Sequence, residues 1–146
     1  MMRPIVALLL AAFALAACSK AVPPPGRWEG GWDDGATFIA ARMEIEPDGS
    51  VRVSAPDVTD SSIASEDDRV AMRETMAGRL AGAWGEVAPR RMDFDGTTLR
   101  KPNGIAPQAD WDKASNTMTL YVYIGTRPVI KMMLRPVRDF SDNPWH

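Results

Sequence analysis

Residues 39–53 read IAARMEIEPDGSVRV, and this stretch decides the fold. Ile39, Ala41, Met43 and Ile45 alternate with Ala40, Arg42, Glu44 and Glu46, the two-residue period of a half-buried strand. Pro47-Asp48-Gly49-Ser50 then supplies a turn, because proline fixes φ and glycine accepts a positive φ. Val51, Val53 and Ala55 resume the alternation, so residues 36–56 predict a β-hairpin.

The same period recurs on both sides. Upstream, Trp28, Gly30 and Trp32 share one face of a strand that ends at the Asp34-Gly35 turn. Downstream, Met92 and Phe94 lead to the Asp95-Gly96 turn, and Leu99 lies in the next short strand. Lys101 to Ala109 holds two prolines and Asn103-Gly104 and predicts a loop, with a strand starting at Trp111. Met118, Leu120, Val122 and Ile124 alternate with Thr117, Thr119, Tyr121 and Tyr123. Ile130, Met132 and Leu134 form one face of a last strand, which Pro136 ends or marks as an edge.

One segment changes period. Ser65 to Asp68 has the form of a capping box, with acids at the positive end of a helix dipole. Met76, Leu80, Trp84 and Val87 share a helical face, and Pro89 stops the helix. The predicted helix covers 66–88, with Met76, Leu80 and Trp84 against the sheet. Gly78 and Gly82 lie on another face, where they either weaken the helix or let it pack closely. Short connections and four Asp-Gly or Asn-Gly pairs imply antiparallel pairing. The expected fold is mainly β with one helix: an antiparallel curved sheet or small open barrel covered by a helix.

The N-terminus carries an address. Arg3 precedes an uncharged run from Ile5 to Ala14, too short to span a bilayer, and small residues follow. Leu15-Ala16-Ala17-Cys18 resembles the lipobox of bacterial lipoproteins. The resemblance implies a signal peptide over 1–17 and a lipidated Cys18 as mature N-terminus. It also accounts for a lone cysteine in an exported chain. Stable anchoring needs more than one acyl chain. Ser19, where an aspartate would favour the inner membrane in lipoproteins of enteric type, points to the outer membrane, facing the periplasm. Residues 18–26 hold Pro23-Pro24-Pro25 and predict an extended tether outside the core. Residues 27–146 predict one β-rich domain.

The parts of several catalytic machines are missing. The sole histidine is His146, the last residue, and the sole cysteine is Cys18. No cluster has the ligand spacing of a zinc site. Asp93-Phe94-Asp95-Gly96 lacks the later ligands of a calcium loop and predicts a turn. Asp33, Asp34, Glu66, Asp67 and Asp68 are abundant acids, but they sit in a turn and at a helix start. No cofactor is implied. The formal net charge of −2 argues against a nucleic-acid partner.

Charge is uneven along the chain. From Glu29 to Glu74 twelve acids face four bases, while ten bases lie between Arg79 and Arg138. Pairing of the two halves across the fold is the expected outcome; a basic patch is the other. The candidate interaction surface comprises Tyr121, Tyr123, Arg127, Lys131 and Arg135, because tyrosine and arginine are favoured at interface hot spots. The expected function is a non-catalytic interaction module anchored in the membrane, with an envelope protein or envelope component as partner. Gly26-x-Trp28 resembles the Gly-x-Trp start of lipocalins, which implies the alternative of a carrier for a small apolar ligand. That resemblance covers three residues, and lipocalins place their helix after the strands.

Overall fold

The computed structural model describes residues 21–55, 58–60 and 64–145. The expected signal peptide over 1–17, Cys18, Ser19 and His146 lie outside the described residues. Nine strands form among the described residues: β1 Gly26–Asp33, β2 Thr37–Ile45, β3 Val51–Ser54, β4 Val58–Asp60, β5 Asp93–Phe94, β6 Thr98–Arg100, β7 Pro107–Asp112, β8 Thr117–Val122 and β9 Ile130–Val137. Helix α1 spans Glu66–Trp84. The sheet is antiparallel, in the order β3-β2-β1-β9-β8-β7-β6-β5, with β4 continuing β3 along the edge of β2. It curls into a half-barrel. Chain ends close the centre: Arg27, Trp28 and Glu29 of β1 face Val137, Pro136 and Arg135 of β9.

The hairpin forms as its sequence predicts. Asp48 Oδ1 accepts from the Ser50 amide at 2.9 Å and from its hydroxyl at 2.6 Å, and Gly49 takes a φ of 83°. Asn116, at a φ of 51°, turns β7 into β8. Its side-chain oxygen accepts from the Trp111 indole at 3.1 Å, which ties a core ring to that turn.

Alternate residues of seven strands fill the concave face. Trp28, Ile39, Ala41, Met43, Ile45, Val51, Leu99, Ala109, Trp111, Met118, Leu120, Met132 and Leu134 form one buried cluster. Burial of an aliphatic or aromatic side chain of this kind contributes about 1.5–3 kcal/mol. The convex face holds a second cluster of Phe38, Ala40, Met76 and Leu80, where α1 lies across β2. β2 is therefore buried on both faces, and Ala40 and Arg42 are covered where simple alternation places them in solvent.

The helix begins with the predicted capping box: Ser65 Oγ accepts from the Asp68 amide, and the Asp68 side chain accepts from the Ser65 amide. It ends earlier than expected, at Trp84, with Gly85 as cap. Val87 falls outside it. Met76 and Leu80 are buried, but Trp84 is only half-buried, edge-on to Phe140 with ring centroids 4.8 Å apart. A Cβ on Gly78 or Gly82 would touch nothing within 4 Å, so these glycines serve no close packing.

Four further expectations are corrected. Strand β7 starts at Pro107 inside the expected loop, since a proline is tolerated as the first residue of a strand. β8 ends at Val122, and Ile124 sits half-buried in the turn before Gly125, whose φ is 53°. β9 is a central strand: it pairs with β8 up to Leu134 and only beyond that, at Pro136, has β1 alone as neighbour. The proline-rich lead is not wholly outside the core, because Ala21 packs against the concave cluster and Pro23 is buried.

Candidate interaction surface

The convex surface has a covered half and an open half. Over β1 and β2, residues 138–145 run back beside the helix. The Ser141 amide donates to Glu29 at 2.9 Å and its hydroxyl at 2.6 Å, while Arg42 Nη2 donates to the Ser141 carbonyl at 3.0 Å. Phe140 lies under the Arg42 guanidinium at 4.9 Å. Trp145 stands edge-on to Phe38, with centroids 5.9 Å apart. Gly31 makes room for Trp145, since a Cβ there would lie 2.5 Å from its ring.

Nothing covers the convex face of β7, β8 and β9 among the described residues. Strand alternation brings Asp110, Thr119, Tyr121, Lys131, Met133 and Arg135 onto it. Thr98 donates to Asp110 at 2.6 Å, and Tyr121 donates to the other oxygen of that carboxylate at 2.5 Å. That bond raises the Tyr121 hydroxyl pKa, aided by burial, so the proton stays on the tyrosine. Lys131 is paired with Tyr121 across the strands, its ammonium 5.6 Å from the ring centre. Tyr123 donates to the Pro107 carbonyl at 2.7 Å, which joins the β8–β9 loop to the β6–β7 loop.

The sequence-predicted residues thus gather on one side. Tyr121, Lys131 and Arg135 share the open face; Tyr123 and Arg127 lie at its end, in the β8–β9 loop. Arg127, Lys131 and Arg135 are exposed, and none forms an ion pair among the described residues. The expectation that these cations pair with acids of the first half is overturned. Acids of the first half are taken by nearer arginines: Glu44 by Arg27 and Arg52, and Asp33 by Arg69 and Arg73.

The clustered acids hold structural posts. Asp33 clasps two helix arginines, Asp34 Oδ1 accepts from the Ala36 and Thr37 amides, and Asp68 closes the capping box. Asp95 makes the predicted turn, accepting from the Thr97 and Thr98 amides. Its pKa falls to about 2 through the Thr98 amide first and then the Arg100 guanidinium. No described group of His, Cys, Asp and Glu has the arrangement of a metal site, and no described helix is long and apolar enough to cross a membrane.

Trp32 was expected with the core face. It keeps that facing, yet it lies where the half-barrel opens and is 37% exposed. It borders a concavity of about 200 Å³ with Ile124, Pro128 and Ile130, and with Asp34 and Arg127 at the rim. Sequence reasoning misses this feature because two turns far apart in the chain assemble it. No protein-family model, curated protein or solved structure matches the chain.

Proposed function

We propose that the chain is a lipid-anchored cell-envelope protein that works by binding a partner through the open face of β8 and β9. The observation that carries this reading is the column of Arg127, Lys131 and Arg135, exposed and, among the described residues, without carboxylate partners beside Tyr121 and Tyr123. Arg90, Arg91, Lys101 and Lys113 also lack an ion pair among the described residues, but Arg127, Lys131 and Arg135 lie beside two tyrosines, and that combination is suited to recognition of another molecule. The lipobox at Leu15–Cys18 supports the anchor, and Ser19 supports the outer membrane. The packed concave face favours surface recognition over carriage of a ligand inside the sheet, because bulky side chains already fill the volume a lipocalin-like carrier would need. The reading assigns no catalytic residue and no cofactor.

A photo-crosslinking residue at Tyr123, in the full chain in its native envelope, tests the surface. A discrete adduct is expected there and not at Thr75 on the helix, and Lys131→Glu with Arg135→Glu should remove it. The same adducts at both positions, or none at Tyr123, would overturn the surface. Separately, Cys18→Ala should abolish processing at residue 17 and release the product from the membrane; a variant still cleaved and membrane-bound overturns the anchor.

A further inference from the structure

We infer that the open end of the half-barrel is a socket for one apolar side chain of an acidic polypeptide segment, a proposal that rests on the interaction-module reading. β1 and β9 place this end. Gly26 and Val137 mark one end of the sheet; Asp33 and Ile130 mark the other. The N-terminal lead, with Ala21 packed on the core, enters at the first end. The loops 34–36, 101–106 and 123–129 gather at the second.

Exposed apolar side chains concentrate there. Trp32 is 37% exposed, Tyr123 46%, Val129 39% and Ile105 94%. Between them lies the concavity of about 200 Å³ walled by Trp32, Ile124, Pro128 and Ile130. Trp32 and Ile130 continue the inward-facing rows that bury Trp28 and Met132. The socket is the last layer of the core, left unfilled. Its volume is below the roughly 300–1,000 Å³ of small-molecule sites. It is of the size that accepts an anchor side chain from a partner, the usual form of a hot spot.

Charge selects the rest of the occupant. Of the two charges that line it, Asp34 already accepts from the Ala36 and Thr37 amides through Oδ1, whereas the Arg127 guanidinium has no carboxylate partner among the described residues. From Lys113 to Arg138 the chain has no acid and five cations; Arg127 lines the socket, while Lys131 and Arg135 carry the positive charge onto the convex face of β9 behind it. An apolar anchor flanked by carboxylates matches this arrangement. A lipid surface matches it less well. The end bearing the socket is opposite the end that receives the lead, so a domain held down by its lead turns the socket away from its own membrane.

The test uses the full chain in phosphatidylcholine nanodiscs, with its five tryptophans replaced by 5-fluorotryptophan. The Trp32 resonance is assigned with Trp32→Phe. The probes are the peptides Glu-Asp-Leu-Glu-Asp, Glu-Asp-Ala-Glu-Asp and Lys-Lys-Leu-Lys-Lys. The Leu peptide should shift the Trp32 resonance saturably, the Ala peptide should bind about tenfold or more weakly, and the basic peptide should give no shift. Arg127→Glu should remove the response while the other four resonances keep their positions, which shows that the fold is intact. Equal binding of the Leu and Ala peptides overturns the socket. So does a Trp32 shift driven by phosphatidylglycerol added to the nanodisc without peptide, which would assign this end to a lipid surface. A Tyr123 adduct that persists in Trp32→Ala also overturns the socket but leaves the interaction module standing. Loss of that adduct from the unmodified chain removes the module, and the peptide titration still decides the socket.

Discussion

Replacing Asp33 by Asn should loosen the helix from the sheet in a pH-dependent way. Asp33 ends β1 and accepts from the Gly35 amide at 2.9 Å, from Arg69 at 2.7 Å and from Arg73. Burial alone would raise its pKa, but the Gly35 amide and the two guanidiniums outweigh that effect and hold it at about 2, against an ordinary 3.8. The full difference corresponds to roughly 2 kcal/mol at 1.36 kcal/mol per unit. The side chain is 21% exposed, and screening by solvent reduces this to about 1–1.5 kcal/mol. The folded-state pKa is depressed, so the stabilisation is fully present above the unfolded value and is lost as pH falls from about 4 through 2. Asparagine still offers an oxygen to the Gly35 amide, but it removes the charge and puts an NH2 group where Arg73 finds an acceptor. Urea unfolding followed by tryptophan fluorescence should show a gap of about 1–1.5 kcal/mol between the unmodified chain and Asp33→Asn at pH 7, closing toward pH 2.5. A gap that stays constant with pH, or no gap at pH 7, refutes the clasp.

Other substitutions probe the packing. Gly78→Ala and Gly82→Ala sit inside the helix with open space around them, and each should stabilise by about 0.5–1 kcal/mol in thermal melts. Leu80→Ala removes a fully buried side chain between helix and sheet and should cost about 2–5 kcal/mol by urea unfolding. Gly30→Ala would set a Cβ 2.2 Å from the Met133 carbonyl of the neighbouring strand, so a loss of about 1–3 kcal/mol or more is expected in the same assay. Unchanged unfolding midpoints would place Leu80 and Gly30 outside the contacts described, and would show that Gly78 and Gly82 do not weaken the helix.

The elements that show in the sequence are those set by local chemistry. The 39–53 hairpin follows from its period and from the Asp48-Gly49 turn; the helix start follows from Ser65 and Asp68. The concave rows on β8 and β9 follow from alternation alone. What escapes is long-range. The pairing of Trp28 with Pro136 joins the two ends of the chain, and neither segment announces the other. Ala40 and Arg42 sit at outward positions of β2 and are buried only because α1 and the 138–145 segment reach them. The cations of the candidate surface are visible as residues, but their lack of partners is a property of the folded chain. The socket is assembled from turns at 34–36 and 123–129, whose residues carry no shared pattern.

Glu29 and Arg42 set the standard against which the open face is judged. Both are buried charges on the convex side of the sheet, and the chain meets them in cis: Ser141 offers its amide and hydroxyl to the carboxylate and its carbonyl to Arg42 Nη2, although Arg42 Nε stays buried without a partner among the described residues. Burial lowers the Arg42 pKa, against a counteracting pull from Glu29, which is the cost of covering a cation without a carboxylate in contact. Arg127, Lys131 and Arg135 have no such provision. Covering them with an apolar surface would repeat the Arg42 penalty three times with no Ser141 to relieve it. A partner that buries this face must bring its own carboxylates, and binding to the face should therefore weaken as salt rises. A salt-independent complex on this face would mean that Tyr121, Tyr123 and Met133, and not the cations, carry recognition.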